Sequence, residues 1–283
     1  MLTINNLRFG YGTKRKLFEG LNLELVPGNI YGLLGKNGAG KTTLLKIISG
    51  VLFAQGGDCK LFGRRAELRE WQMLSEVYFL PEEPAAPVNS GKEYIKIYAS
   101  FYPRFSITKF TKIIEEWKIN VDQSIATLSQ GERKKFFIAF ALATNCKLIL
   151  MDEPSNGLDI PAKTVFRKLI AGAVDENSAL VISSHQVRDL DGLIDPIIII
   201  DSGKIVLNES IANIEDKIMF SLGAVEPDTE RLLYSMQVPA GWSFAVVKTN
   251  VDDYGSKADL ELLFNATVEN PARMQQLFGR DVK

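Results

Sequence analysis

Gly35-Lys36-Asn37-Gly38-Ala39-Gly40-Lys41-Thr42 stands between an apolar run, Ile30-Tyr31-Gly32-Leu33-Leu34, and an apolar helical stretch, Thr43-Leu44-Leu45-Lys46-Ile47-Ile48. A strand that feeds a glycine loop and then a helix is the context in which this spacing cradles phosphate. The glycines let backbone N–H groups turn inward, where Cβ atoms otherwise obstruct. The helix N-terminus adds a partial positive charge and Lys41 a full one. Thr42 is placed to offer its hydroxyl to Mg²⁺. Asn37, Gly38, Ala39, Gly40, Lys41, Thr42 and Thr43 are therefore the expected triphosphate contacts, although the loop alone does not say what the triphosphate is used for.

The chain has 283 residues, enough for one large or two modest domains. With 46% hydrophobic and 24% charged residues it has ordinary globular composition, which argues against disorder. A formal net charge of −1 gives no electrostatic footprint for nucleic acid and no basic face for an anionic membrane. Cys59 and Cys146 form no paired motif and fit a reducing compartment as small packed hydrophobes. The start, Met1-Leu2-Thr3-Ile4-Asn5-Asn6, lacks the basic and long apolar segments of a signal peptide. The longest apolar runs, such as Ile197 to Ile200, fall far below the ~20 residues needed to span a bilayer. A cytoplasmic protein is expected, and any membrane partner must be another chain.

Along the chain, Leu2, Ile4, Leu7 and Phe9, then Leu21, Leu23 and Leu25, alternate as half-buried antiparallel strands, with Pro27-Gly28 as a turn. Gln55-Gly56-Gly57-Asp58 reads as a turn toward short strands near Lys60-Leu61-Phe62, and Val77-Tyr78-Phe79-Leu80 as a short strand stopped by Pro81. Between about 84 and 143 the pattern becomes helical, with Lys92 to Phe101 and Thr108 to Trp117 amphipathic. Alternation then resumes: strand Lys147 to Met151, a helix opened by Pro161, strand Ala179 to Ile182, and the all-isoleucine strand after Pro196. This predicts an α/β fold with a mainly parallel, covered sheet, an antiparallel β subdomain and a helical insert. From about 218 the composition is α+β without a nameable motif, so residues 218–283 are expected to be a small appended domain of unknown role.

Leu148 to Met151 ends in Asp152-Glu153, at the C-terminal edge where ligands of open α/β sheets collect. Solvated acids capping a strand are one reading. The other is that Asp152 holds Mg²⁺, through water, and Glu153 orients and deprotonates an attacking water; the nearby phosphate loop favours it. Leu128-Ser129-Gln130-Gly131-Glu132 precedes the apolar helix Phe136 to Ala143 and forms a capping box. Ser129, Gly131 and the free amides of this helix start also make an anion site with no phosphate on its own sequence side. His185, the only histidine, follows Val181-Ile182-Ser183-Ser184 at a strand end. It is either structural or a hydrogen-bond donor to the γ-phosphate.

Taken in order, the phosphate loop, Leu128 to Glu132, Leu150-Met151-Asp152-Glu153-Pro154, Ser155-Asn156-Gly157-Leu158-Asp159 and His185 resemble the loop, signature, acidic strand, D-loop and switch histidine of an ABC transporter ATP-binding subunit. The resemblance covers roughly residues 1–215, placing the cassette at 1–217 with its helical insert at about 84–143. It implies ATP as the nucleotide, Mg²⁺ as the metal and catalytic roles for Lys41, Glu153 and His185. It also implies stacking of adenine on Tyr11, with Phe9 as the competing ring. Two cassettes are implied to meet head to tail, so that Ser129, Gly131 and Glu132 of one close over the γ-phosphate held by Lys41 of the other. The same half-sites are all present here, so a homodimer is expected. The partner would be a separate polytopic membrane subunit, with the cassette peripheral on the inner face of the membrane.

Three positions depart from the family pattern. Glu82 stands where many members place a glutamine that touches Mg²⁺ and the attacking water; it resembles cassettes of simple bacterial exporters and points to export. Gln130 replaces a usual glycine, and Glu132 a usual glutamine. Glu82 through Phe105, with Tyr94, Ile97, Tyr98, Phe101 and Tyr102, is expected to form the docking groove, at least half of those side chains serving as helix core. Two other classes compete: a soluble ABC ATPase acting on ribosomes or nucleic acid, and a small-molecule kinase. The single cassette, the absence of sustained heptads between Lys41 and Asp152 and the acidic pI near 6.0 weigh against the first. The signature helix and the histidine are unexplained by the second.

Overall fold

The computed structural model describes residues 1–12, 15–85, 90–227, 230–249 and 256–279. Up to Leu80 the chain runs β1 (Leu2–Tyr11), β2 (Arg15–Leu25), β3 (Ile30–Leu34), α1 (Lys41–Ile48), β4 (Gly56–Leu61), β5 (Arg64–Arg65), α2 (Trp71–Leu74) and β6 (Val77–Leu80). The helical stretch contains α3 (Gly91–Tyr98), α4 (Ile107–Glu116) and α5 (Gln130–Ala143). Alternation resumes as β7 (Leu148–Asp152), α6 (Ile160–Ala171), β8 (Ala179–Ser184), β9 (Ile197–Asp201), β10 (Lys204–Glu209) and α7 (Ile211–Lys217). The remainder is β11 (Ile218–Gly223), β12 (Leu232–Val238), β13 (Gly241–Val247), α8 (Leu260–Glu269) and α9 (Pro271–Phe278).

Three sheets result. The first is antiparallel in the order β2-β1-β4-β5. The second, β10-β9-β3-β8-β7-β6, is parallel except for β10 at its edge, which pairs antiparallel with β9. A small antiparallel sheet, β11-β13-β12, follows. Both faces of the central sheet are covered, as a parallel sheet requires. Leu33, Leu150, Val181 and Ile198 face α1 and the first sheet. Their neighbours Leu34, Met151, Ile182 and Ile199 face α5, α6 and the C-terminal helices. One buried cluster therefore runs from Phe136 and Phe140 of α5 through the sheet to Leu263 and Met274 of α8 and α9.

Gly56-Gly57 does not turn the chain; it lies inside β4. The register against β1 shifts between Asn5 and Arg8. At Gly57 φ is +78°, and a Cβ there would lie 2.2 Å from the Asn6 carbonyl oxygen. The glycines serve a bulge with close backbone approach, a use that sequence alone does not separate from a turn. In the helical stretch Tyr94 is buried against Phe136, Phe137 and Phe140, Tyr98 and Tyr102 are half-buried, and Ile97 and Phe101 are exposed. Residues 86–89 of the expected docking groove lie outside the described residues. Among the described residues, no helix is long and apolar enough to cross a membrane.

Candidate functional site

β3 delivers the loop into α1 with Gly40 as the helix N-cap at φ +111°. A Cβ at Gly40 would lie 2.7 Å from a ring carbon of Phe18, so both conformation and packing require glycine. The Lys41 side chain is buried; its Nζ donates to the Gly35 carbonyl at 2.7 Å and lies 3.6 Å from Glu153 Oε1. Burial pushes its ammonium below the usual lysine range, opposed by the carboxylates of Glu153, Asp152 and Glu82.

The parallel pairing of β7 with β8 sets Asp152 opposite Ser183. Asp152 is 1% exposed; it accepts from Thr42 Oγ1 at 2.6 Å and from Ser183 Oγ at 2.5 Å. A hydroxyl and a carboxylate in contact are hard oxygen donors, the set that fits Mg²⁺ when phosphate oxygens complete the shell.

Glu153 is held at every polar atom but one. Its N–H donates to Ser183 O at 3.2 Å and Ser183 Oγ at 3.1 Å, and its carbonyl accepts from Lys134 Nζ at 2.8 Å. Its Oε1 lies 2.9 Å from His185 Nδ1. Its backbone sits at φ +47°, a left-handed conformation that costs a non-glycine residue about 1–2 kcal/mol. Oε2 is buried without a hydrogen-bond partner among the described residues. A buried acceptor in this state calls for an explanation, and a bound water or a catalytic role supplies one.

Lys41, Thr42 and Glu153 meet at one cleft of about 280 Å³, lined also by Tyr11, Asn37, Gly38, Gly40, Thr43 and Glu82 among others. Asp152 and His185 are not in its lining and reach it through their contacts with Thr42 and Glu153. Tyr11 is half-exposed, its hydroxyl 2.9 Å from Thr43 Oγ1, while Phe9 is buried and meets it edge to face at 5.1 Å. Glu82 Oε1 accepts from Asn156 Nδ2 at 3.0 Å. Ala39 is buried behind the loop. Ser129, Gly131 and Glu132 do not line the cleft. They form the start of α5, where Ser129 accepts from the Glu132 amide at 3.2 Å and the Glu132 carboxylate accepts from the Ser129 amide at 2.9 Å. The Ser129 hydroxyl, which donates to Glu132 Oε2 at 2.7 Å, and the Ser129 amide together hold the Glu132 carboxyl below the usual range.

Sequence reasoning did not reach Ser183, Lys134 or Asn156 as members of this network. Ser183 is found by registering β8 on β7; Asn156 and Lys134 lie on segments whose crossing depends on tertiary packing.

The family model described as ABC transporter matches residues 18–156. The lantibiotic transport ATP-binding protein SrtF of Streptococcus pyogenes is 31% identical over 211 residues, covering 74% of this chain and 90% of the relative. The uncharacterized ABC transporter ATP-binding protein YdbJ of Bacillus subtilis is 29% identical over 236 residues, 82% and 76% of the two chains. The fold is similar to the dimeric post-hydrolysis structure of the ATP-binding cassette MJ0796 with ADP and Pi, at TM-score 0.65 and 19% identity, over 74% of this chain and 98% of that one. With the phosphate loop, acidic strand end and sheet order already in place, these similarities assign the chain: it belongs to the ABC transporter ATP-binding proteins, the ATP-hydrolysing subunits of those transporters.

Proposed function

We propose that two copies of this chain bind ATP head to tail and drive a separate polytopic membrane subunit, from a position on the inner, cytoplasmic face of the membrane. The observation that carries the chemistry is the placement of the Glu153 carboxylate, buried at the end of β7 with Lys41 Nζ 3.6 Å and His185 Nδ1 2.9 Å from its Oε1. A general base beside the γ-phosphate must be able to accept the proton of the attacking water.

Tyr11 offers the adenine ring a face, and the loop amides with Lys41 take the phosphates. Thr42 and Asp152 would hold Mg²⁺, with Glu82 also facing the cleft; the metal supplies charge neutralisation between β- and γ-phosphate oxygens. His185, which faces Glu153 Oε1 at 2.9 Å, would turn its donor to the γ-phosphate once ATP is bound. Within one copy this leaves the far side of the phosphates uncovered. The α5 start, with Ser129 and Gly131 away from its own cleft, is suited to cover it from a second copy. Exposed Ile97 and Phe101 on the helical insert support docking to another chain at that face. Glu82, in place of glutamine, favours export.

Affinity purification from native membranes tests the partnership. One polytopic protein should co-purify in stoichiometric amount, and more firmly with ATP than without. Recovery of ribosomes with no membrane protein would replace the transporter assignment of this chain with a soluble one.

A further inference from the structure

α5 carries a lysine at the edge of its sealed length. Lys134 is 3% exposed, and every residue from Phe136 to Ala143 is buried with it. A buried ammonium is costly unless it is well bonded, and an apolar side chain of similar length would fill the space without that cost. Burial pushes the Lys134 ammonium below the usual lysine range, opposed by Glu82, Glu153, Asp152 and Glu83. Among the described residues no carboxylate oxygen lies within 4.0 Å of its nitrogen. Its bond is to the backbone, 2.8 Å from the Glu153 carbonyl oxygen.

That carbonyl belongs to the residue whose backbone lies in the left-handed region, at φ +47°. Such a conformation persists where neighbours over-determine it. Ser183 fixes the peptide plane before Glu153; Lys134, with the Asn156 amide at 3.3 Å on the same carbonyl, fixes the one after it. Together they set the direction in which the Glu153 side chain leaves the strand end. The first turn of α5 touches the same segment again: a Cβ on Gly131 would lie 3.2 Å from the Gly157 carbonyl oxygen. The helix start is thus seated on the loop that carries Glu153.

We infer that Lys134 is a positioning residue: it holds Glu153 aligned for hydrolysis and ties that alignment to the seating of the α5 start. Phosphate engaged by Ser129 and Gly131 of one copy then sets the base in that copy's own ATP site, linking the two sites. The inference rests on the reading of Glu153 as the base and of α5 as the covering half-site.

Lys134→Met keeps the length of the side chain and removes the donor. Its ATP affinity, measured with a fluorescent ATP analogue, and its KM should stay within about twofold of the parent, while kcat falls roughly 10- to 100-fold. Lys134→Arg restores a cationic donor and should return kcat to within about threefold. Because hydrolysis and not binding is impaired, Lys134→Met should accumulate an ATP-bound dimer on size exclusion; a merely structural defect would lose dimer instead. A kcat within about threefold of the parent, or a rise in KM that accounts for the lost kcat/KM, overturns the inference. If the methionine variant does not fold, Lys134→Leu, which likewise has no donor, is read by the same criteria. Glu153→Gln separates the two readings. If it hydrolyses ATP at the parental rate, the base assignment falls and Lys134 with it. If it is inactive while Lys134→Met is fully active, only the role of Lys134 falls.

Discussion

His185 Nδ1 lies 2.9 Å from Glu153 Oε1. An ionised carboxylate only accepts, so the imidazole donates from Nδ1, and a neutral ring has one N–H to give. Arrival of a γ-phosphate therefore sets up a competition for this ring between the carboxylate and the phosphate. His185→Ala should lower kcat by roughly 10²-fold or more, in the range of a lost positioned donor, with KM changed less than about threefold. Steady-state ATPase assays measure it, and a variant retaining a third of parental kcat would mean that the histidine is structural.

Glu82 lines the cleft beside Lys41 and accepts a hydrogen bond from Asn156 at 3.0 Å. Glu82→Gln keeps an acceptor for Asn156 and removes one negative charge. The Mg²⁺ concentration for half-maximal ATPase should then rise about three- to tenfold, the scale of one unit charge acting across a partly solvated site. Affinity for metal-free ATP should increase, because repulsion of the phosphates is relieved. An unchanged Mg²⁺ titration would take Glu82 out of the metal's surroundings.

Much of the fold was legible because its signals are local. Period-two alternation gave β1 and β2, an uninterrupted apolar run gave β7, and the strand–loop–helix spacing gave β3 and α1. Ser129 with Glu132 gave the start of α5, because a capping box lies within four consecutive residues. The candidate site was legible in its chemistry through Lys41, Asp152, Glu153 and His185, which the fold brings to one sheet edge. What escaped depends on contacts distant in sequence. Lys134 looks like one member of a charged run, Arg133-Lys134-Lys135, until α5 is seen to pass beside the end of β7. Gly57 reads as a turn residue until β1 is laid against it.

Burial pushes the thiols of Cys59 and Cys146 up to about 12. The thiolate is the reactive form, so native protein at pH 8 should resist iodoacetamide, with both cysteines labelled only after unfolding in guanidinium. The sign for stability follows from linkage. Both folded-state values lie above the usual thiol value, so the stabilising contribution is complete below that value and declines as pH rises toward 12. The unfolding free energy read from guanidinium titrations should therefore fall above about pH 9, by up to roughly 1.4 kcal/mol per pH unit for each thiol. Rapid labelling of either cysteine in native protein, followed by mass spectrometry, would show that its segment opens.

The most direct test of the shared site is the mass of Glu153→Gln with and without ATP, by size exclusion with light scattering. The substitution keeps an oxygen beside His185 and removes the base, so ATP should bind and persist. With ATP and Mg²⁺ the variant should run at twice its 31.5 kDa monomer mass, and Ser129→Arg in the same background should return it to monomer. A variant that binds ATP yet stays monomeric at every concentration would contradict the completion of Lys41's site by Ser129 of a second copy.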